Sequence, residues 1–319
     1  MAIVKLSEAQ LTTLRKFEAE LKQAVSSAEP DTAIEAAAKI QGLFEFDRSH
    51  HHLLRAKLWA FEACVDANRL PYAERGLIGV RRLASSNTRL ALEAGALLAV
   101  VLLRQKKTQE AKKIVKDVIE NINNISSGRT RHQFQKRFIN RIEEECILAE
   151  LIGTAEGSMN MEEIQAKAVL LIQRNSDDEI LRLIGNSIPV ASINLLTDVR
   201  SYSILQLPAP DRKLLPPPEK AQEPKSVGKT TFTVLKRIAW KTFCKSDSPI
   251  YKMWSKKIPE VFNQGYFSAA ILSTFGDFKI GLPLVASGLA ALVMKYSAEE
   301  FCSLAKPKGL MISGDDKTI

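Results

Sequence analysis

Fifteen consecutive residues without a charge, Ile280–Met294 (IGLPLVASGLAALVM), restrict what this chain can fold into more than any other stretch. They have to leave water, and a charged exit follows them from Lys295 to Glu300. A shorter apolar run, 269–275, precedes them and is cut off by Gly276-Asp277-Phe278-Lys279. A membrane span needs about 20 apolar residues, whereas about 10–14 suit a buried helix or an interfacial segment. The stretch falls between the two, and Gly281, Pro283 and Gly288 interrupt it. Three ways of burying it are open: a compact helical hairpin in a small domain of its own, membrane insertion of residues 267–296, or an oligomerisation surface. Ala286, Gly288, Ala290 and Ala291 permit close helix packing in protein or in lipid, and the hairpin is the expectation adopted.

Upstream, apolar residues recur at helical spacing and strand-type alternation is scarce, so the expected class is all-α. Ser7 followed by Gln10 has the form of a capping box ahead of Leu14, Phe17, Leu21 and Val25. A second helix, capped by Asp31, would bury Ala33, Ala37, Ile40 and Phe44. A third runs from about 51 to 68, and Pro71 suits the first turn of a fourth, where a missing N–H does no harm. A fifth helix, about 88–104, is apolar on most sides and belongs in the middle of an array. A sixth spans about 109–121.

The helix pair from Leu90 to Ile122 resembles a tetratricopeptide-type repeat at Leu98, Ala99, Leu102 and Ala111, and the preceding pair places Ala73 where Ala111 stands. The aromatic position of that family is Gly95 in one pair and Lys57 in the other, and its helix-ending proline is missing near Asn123. The resemblance covers about seventy residues, roughly 54–122. It implies stacked helical hairpins, a tetratricopeptide-like α-solenoid, and binding of a peptide or protein.

Beyond the break at 122–130, a long helix to about 152 is expected, then two more, about 161–174 and 177–184, separated by Asn175-Ser176-Asp177. Residues 207–230 carry six prolines, which favours an extended tether over a regular helix. The expected organisation is therefore a helical-hairpin array over 1–205, a proline-rich linker over 206–230, a basic and hydrophobic helical domain over 231–306, and a tail over 307–319. The ending GLPLVASGLAALVMKYSAEEFC with KPKGLM also resembles the close of uncharacterised bacterial helical proteins, a likeness of about thirty residues that implies no activity.

The sequence offers little for catalysis. His50-His51-His52 are consecutive and point around a helix start instead of converging as metal ligands do. Glu143-Glu144-Glu145 and Asp177-Asp178-Glu179 are explained by solvated faces and by the helix dipole. Gly228-Lys229-Thr230 lacks the upstream glycine of a phosphate loop and reads as linker. No cofactor, metal or catalytic residue is expected. Cys64, Cys146, Cys244 and Cys302 are far apart with no CxxC pair, which suggests reduced buried thiols and a cytoplasmic protein, peripheral at most to a membrane. The N-terminus has no apolar region of the signal-peptide kind.

The net charge of +9 is unevenly spread. One cluster holds Arg129, Arg131, Lys136, Arg137 and Arg141, and a neighbouring one runs from Arg104 to Lys116. A third, 225–257, has nine lysines and arginines against one acid, Asp247, interleaved with aromatics. There Arg237, Lys241 and Lys245 with Trp240 and Trp254 would suit phosphates and stacked bases, or an anionic membrane. The expected function is a non-catalytic scaffold or adaptor whose array binds a protein partner, with the C-terminal module for assembly, homo-oligomerisation or anchoring. The alternatives are a nucleic-acid-binding component of a bacterial defence or mobile-element complex, and a membrane-active effector using 267–296.

Overall fold

The computed structural model describes residues 6–155, 159–206, 220, 222–255, 263–306 and 309–310. Among them lie fifteen α-helices, one short 3-10 turn and no strand, so the protein is all-α. The chain divides into two compact units. The first is Met1–Arg141 with Lys308–Ile319, and the second is Ile142–Pro307. The division falls within the long helix that follows residue 128, not at the proline-rich strip.

The first unit is built from α1 (Glu8–Ser26), α2 (Pro30–Leu43), α3 (His51–Asp66), α4 (Leu70–Leu83), α5 (Arg89–Arg104) and α6 (Thr108–Glu120). Each helix packs on the next, and α3 also packs on α1 and α5. The Ser7–Gln10 capping box forms in both directions. Pro71 sits in the first turn of α4, and Thr88 caps α5. On α5 every residue from Leu92 to Arg104 is buried, as befits a central helix. Asp31 is not a cap: Glu29 holds that position, Pro30 opens α2, and Asp31 pairs with Arg69.

One turn recurs three times in this unit. Ala28, Asn68 and Lys106 each adopt the left-handed conformation after α1, α3 and α5, at φ 54°, 60° and 60°. They stand 40 (68 − 28) and 38 (106 − 68) residues apart. In each case the next residue's N–H closes back on the carbonyl five before it: Glu29 on Ala24, Arg69 on Cys64, Lys107 on Leu102. This is the hydrogen-bond closure of a helix C-terminus whose last carbonyls would otherwise lack donors. Five residues after each turn stands an alanine, Ala33, Ala73 or Ala111, and all three are wholly buried. A larger side chain there would push the paired helices apart.

The long helix, α7 (Gly128–Leu151), ends before Gly153, which takes a left-handed φ of 79°. It is followed by α8 (Met161–Arg174), α9 (Asp177–Asn186), α10 (Val190–Gln206), α11 (Pro224–Cys244), α12 (Pro249–Trp254), α13 (Asn263–Phe278), α14 (Pro283–Val293) and α15 (Ala298–Leu304). Within the second unit α11 packs chiefly on α9 and α13, and α14 on α8 and α9. The expected linker lies outside the described residues over 207–219, but its end is helical. Pro224 occupies the first turn of α11, where proline is tolerated, and residues 225–230 continue the helix.

That start is set by a close approach. A Cβ on Gly185 would lie 1.8 Å from the carbonyl oxygen of Pro224, and one on Gly228 would lie 1.8 Å from that of Leu181. The backbones of α9 and α11 therefore touch at a site that only glycine permits on both sides. Gly228 is a packing residue, and the linker reading of Gly228-Lys229-Thr230 does not hold.

The apolar stretch forms the short helix α14, opened by Pro283, with Val285–Val293 buried without exception. The preceding run is not cut off at Gly276. It continues as α13 through Phe278 and turns at Lys279, φ 52°. The loop after α7 pins this hairpin: Ala155 N–H donates to the carbonyl of Lys279 at 2.9 Å, and Gly281 N–H to Thr154 Oγ1 at 3.1 Å. Eleven residues span about 16 Å of helix, roughly half of a bilayer's hydrocarbon core. Among the described residues no single helix is long and apolar enough to cross a membrane. The pair α9–α10, bent by 99°, meets the length and composition test only when taken together.

The cysteine expectation is corrected at two of four positions. Cys64 and Cys146 are buried free thiols, and burial pushes Cys64 up to about 11. Cys244 and Cys302 are joined in a disulfide, their Cα atoms 5.4 Å apart across 58 residues of sequence. Sequence distance concealed the pairing, because α11 and α15 become neighbours only in the fold.

Two outcomes follow. Gly228→Ala lowers the stability of the second unit by about 3 kcal/mol or more, since one of two rigid backbones has to move. Gly276→Ala, where an added Cβ meets nothing within 4 Å, leaves it unchanged or better; thermal unfolding of the two variants compares them. The unreduced, denatured protein titrates two thiols and not four. Its reduction removes about 4 kcal/mol of loop-closure stabilisation, read as a fall in Tm.

Candidate functional site

The ten residues proposed from sequence for anion or nucleic-acid contact divide between the two units. Arg129, Arg131, Lys136, Arg137 and Arg141 belong to the first, and Arg237, Trp240, Lys241, Lys245 and Trp254 to the second. Within the first, α7 turns Arg129 and Lys136 to solvent. Arg131 donates to the carbonyl of Ile125 at 3.1 Å. Arg137 is half-buried and engaged within the protein. Arg141 is 7% exposed and donates to Asp66 at 3.1 Å. On the neighbouring hairpin Arg104 is buried and donates to the Val65 carbonyl at 2.7 Å, while Lys107 pairs with Glu74 at 2.7 Å. The basic run is thus partly internal scaffolding, and Lys106, Lys113, Lys116, Arg129 and Lys136 form its exposed part.

In the second unit Trp240 and Phe243 are buried in the core, and Trp254 is half-buried against Phe243. Trp240 is buried, and its indole N–H donates to the carbonyl of Cys302 at 2.9 Å. Trp254 stacks on Phe243 with ring centroids 5.5 Å apart and donates to the Phe243 carbonyl at 2.9 Å. Phe243 also stacks on Phe267 at 4.3 Å and meets Phe301 edge-on. A base could reach the rings of Phe243, Phe267 and Phe301 only by opening the junction of α11, α13 and α15. Lys245 pairs with Asp247 at 3.1 Å, and Lys241 is half-buried with partners of its own.

The strongest electrostatic feature was not apparent from sequence. Arg200 on α10 forks onto Glu143 on α7 at 2.5 and 2.8 Å, with both side chains about 7% exposed. Arg237 on α11 spans Glu144 and Glu145, and the Glu145 side chain is wholly buried. Glu143-Glu144-Glu145 is therefore a set of inward ion pairs and not a solvated face. Burial raises the Glu143 carboxyl above its ordinary range, and the Arg200 charge works against that rise. The available signal was a lone arginine in the largely apolar helix 190–206 and three adjacent acids, which together demand partners once buried. Asp177-Asp178-Glu179 does follow the dipole expectation. Glu179 closes a capping box with Ser176, and Lys225 and Lys295 reach Asp178 and Asp177.

The three histidines form a helix start. His50 caps α3 by accepting the His52 N–H, its ring stacks on Phe44 at 4.1 Å, and His52 Nδ1 lies 2.9 Å from Glu18. Burial holds the His50 and His51 imidazoles below their usual range, and the neighbouring His52 adds to the effect. Among the described residues no group of three or more His, Cys, Asp or Glu is placed to hold a metal ion.

Removing one member of the Glu143–Arg200 pair strands the other in a buried site. Glu143→Gln and Arg200→Met should each cost about 3–5 kcal/mol, while Glu143→Leu combined with Arg200→Met should cost much less than their sum. Urea unfolding of the full chain measures the coupling.

No family model, curated protein or solved structure matches the chain.

Proposed function

We propose that the protein is a non-catalytic scaffold or adaptor in which the helical hairpins of the first unit bind a protein partner and the second unit serves for assembly or anchoring. The observation that carries this reading is the recurring turn at Ala28, Asn68 and Lys106, each followed by a wholly buried alanine. Hairpins built to one plan stack in a tetratricopeptide-like manner, and stacked hairpins make extended surfaces for peptides and proteins. The ion pairs of the second unit and the burial of α14 suit a rigid module for assembly better than an inserting one.

A nucleic-acid reading rests on the exposed members of the first unit's basic run, Arg129 and Lys136 among them. It predicts a different response to salt, since phosphate contacts release counterions. A cytoplasmic location fits this reading only with Cys244 and Cys302 held as thiols, because cytosolic reductants keep such pairs open.

The test passes the immobilised full-length protein over nuclease-treated and untreated extract at low and high salt, alongside the variant Arg129→Gln/Lys136→Gln. A scaffold retains the same protein partner after nuclease, at about 0.5 M salt and in the variant. Retention of nucleic acid that collapses with salt and in the variant overturns the scaffold reading in favour of the basic surface.

A further inference from the structure

A carboxylate in the middle of the first unit does something that hairpin packing does not require. Glu62 lies on α3 with 1% of its surface exposed, in the interior of the helix and away from its ends. Its Oε1 accepts a hydrogen bond from the backbone N–H of Leu310, 248 residues further along the chain. Leu310 is itself buried, 4% exposed. A Cβ on the preceding residue, Gly309, would lie 2.9 Å from Glu62 Oε2 and 3.2 Å from its Cδ, so a larger residue there would have to push the carboxylate aside. A buried carboxylate is costly unless it is hydrogen-bonded, and a charged acceptor makes the strong version of that bond. The contact therefore combines main-chain recognition, a seat for one apolar side chain and a preference for glycine beside it. Peptide-binding surfaces draw affinity and specificity from the same division of labour.

We propose that the Glu62 region of the first unit is a binding site for an extended peptide bearing glycine followed by a leucine-like residue, and that the protein's own Gly309–Leu310 fills it in cis. The proposal rests on the scaffold reading and names the partner's chemistry: an external segment of this pattern must displace the chain's own end. Tethering gives the cis segment an effective concentration on the order of millimolar, so the wild-type protein binds such a peptide weakly and a protein with its end released binds it well.

The probe is a fluorescent peptide of residues 304–314, followed by anisotropy with full-length protein. The Leu310→Asp chain, whose end carries a charge into an apolar seat beside Glu62, should bind it at least tenfold more tightly than wild type. Adding Glu62→Ala to Leu310→Asp should abolish that gain, and a peptide carrying Leu310→Asp should not bind. Equal weak binding by wild type and Leu310→Asp, with circular dichroism unchanged, overturns the proposal. Unfolding of Leu310→Asp overturns it too, because the segment is then part of the core. Failure here with partner retention intact removes the site and leaves the scaffold reading standing; tight peptide binding without partner retention does the reverse.

Discussion

Two helix backbones come into van der Waals contact only where neither carries a Cβ, and the second unit depends on one such place. Gly185 and Gly228 face each other's helices so closely that a methyl group on either would overlap a carbonyl oxygen. That contact places α11 against α9, and much of the unit follows from it. α14 lies on α9 and α8, α13 lies on α11, and the aromatic junction of Phe243, Phe267 and Phe301 closes over the end of α11. Trp240 and the Cys244–Cys302 bond then tie α15 to the same helix.

The chain's basic character acquires a different meaning once the fold is known. Arginines that would look like a phosphate-binding face in an extended chain turn inward, Arg104 to a carbonyl, Arg141 to Asp66, Arg200 to Glu143 and Arg237 to two glutamates. Their planar forks satisfy several acceptors at once, which lysine cannot do, and they are tolerated at depth because each meets an acid or a carbonyl. The lysines stay at the rim. Net charge thus overstates the surface available to an anionic partner, because several of the arginines that contribute to it are buried in ion pairs or on carbonyls.

Much of the local structure was legible in the sequence. The capping boxes at Ser7 and Ser176, the proline at the start of α4, the all-round burial of α5 and the helical hairpin at the apolar end follow from rules that act within one or two turns. The register of Ala73 with Ala111 was visible too, because a buried small residue recurs at fixed distance from a turn. Ala33 completes the series only when the left-handed conformation of Ala28 is known, since alanine gives no sign of it. The long-range features were hidden for a common reason: Arg200 with Glu143, Cys244 with Cys302, and Leu310 with Glu62 are separated by 57, 58 and 248 residues.

By itself, then, the sequence determined the all-α class, most helix starts and stops, and the need to bury residues 280–294, because propensity, capping and hydrophobic period are local properties of the chain. Only the tertiary structure decided that Gly228 is a packing residue and not a linker, that Trp240 is core, that the acidic triplet is paired, and which cysteines meet. Those outcomes depend on which distant surfaces come together. Composition and periodicity carry no information about that until close-packing and the satisfaction of buried charges select one arrangement.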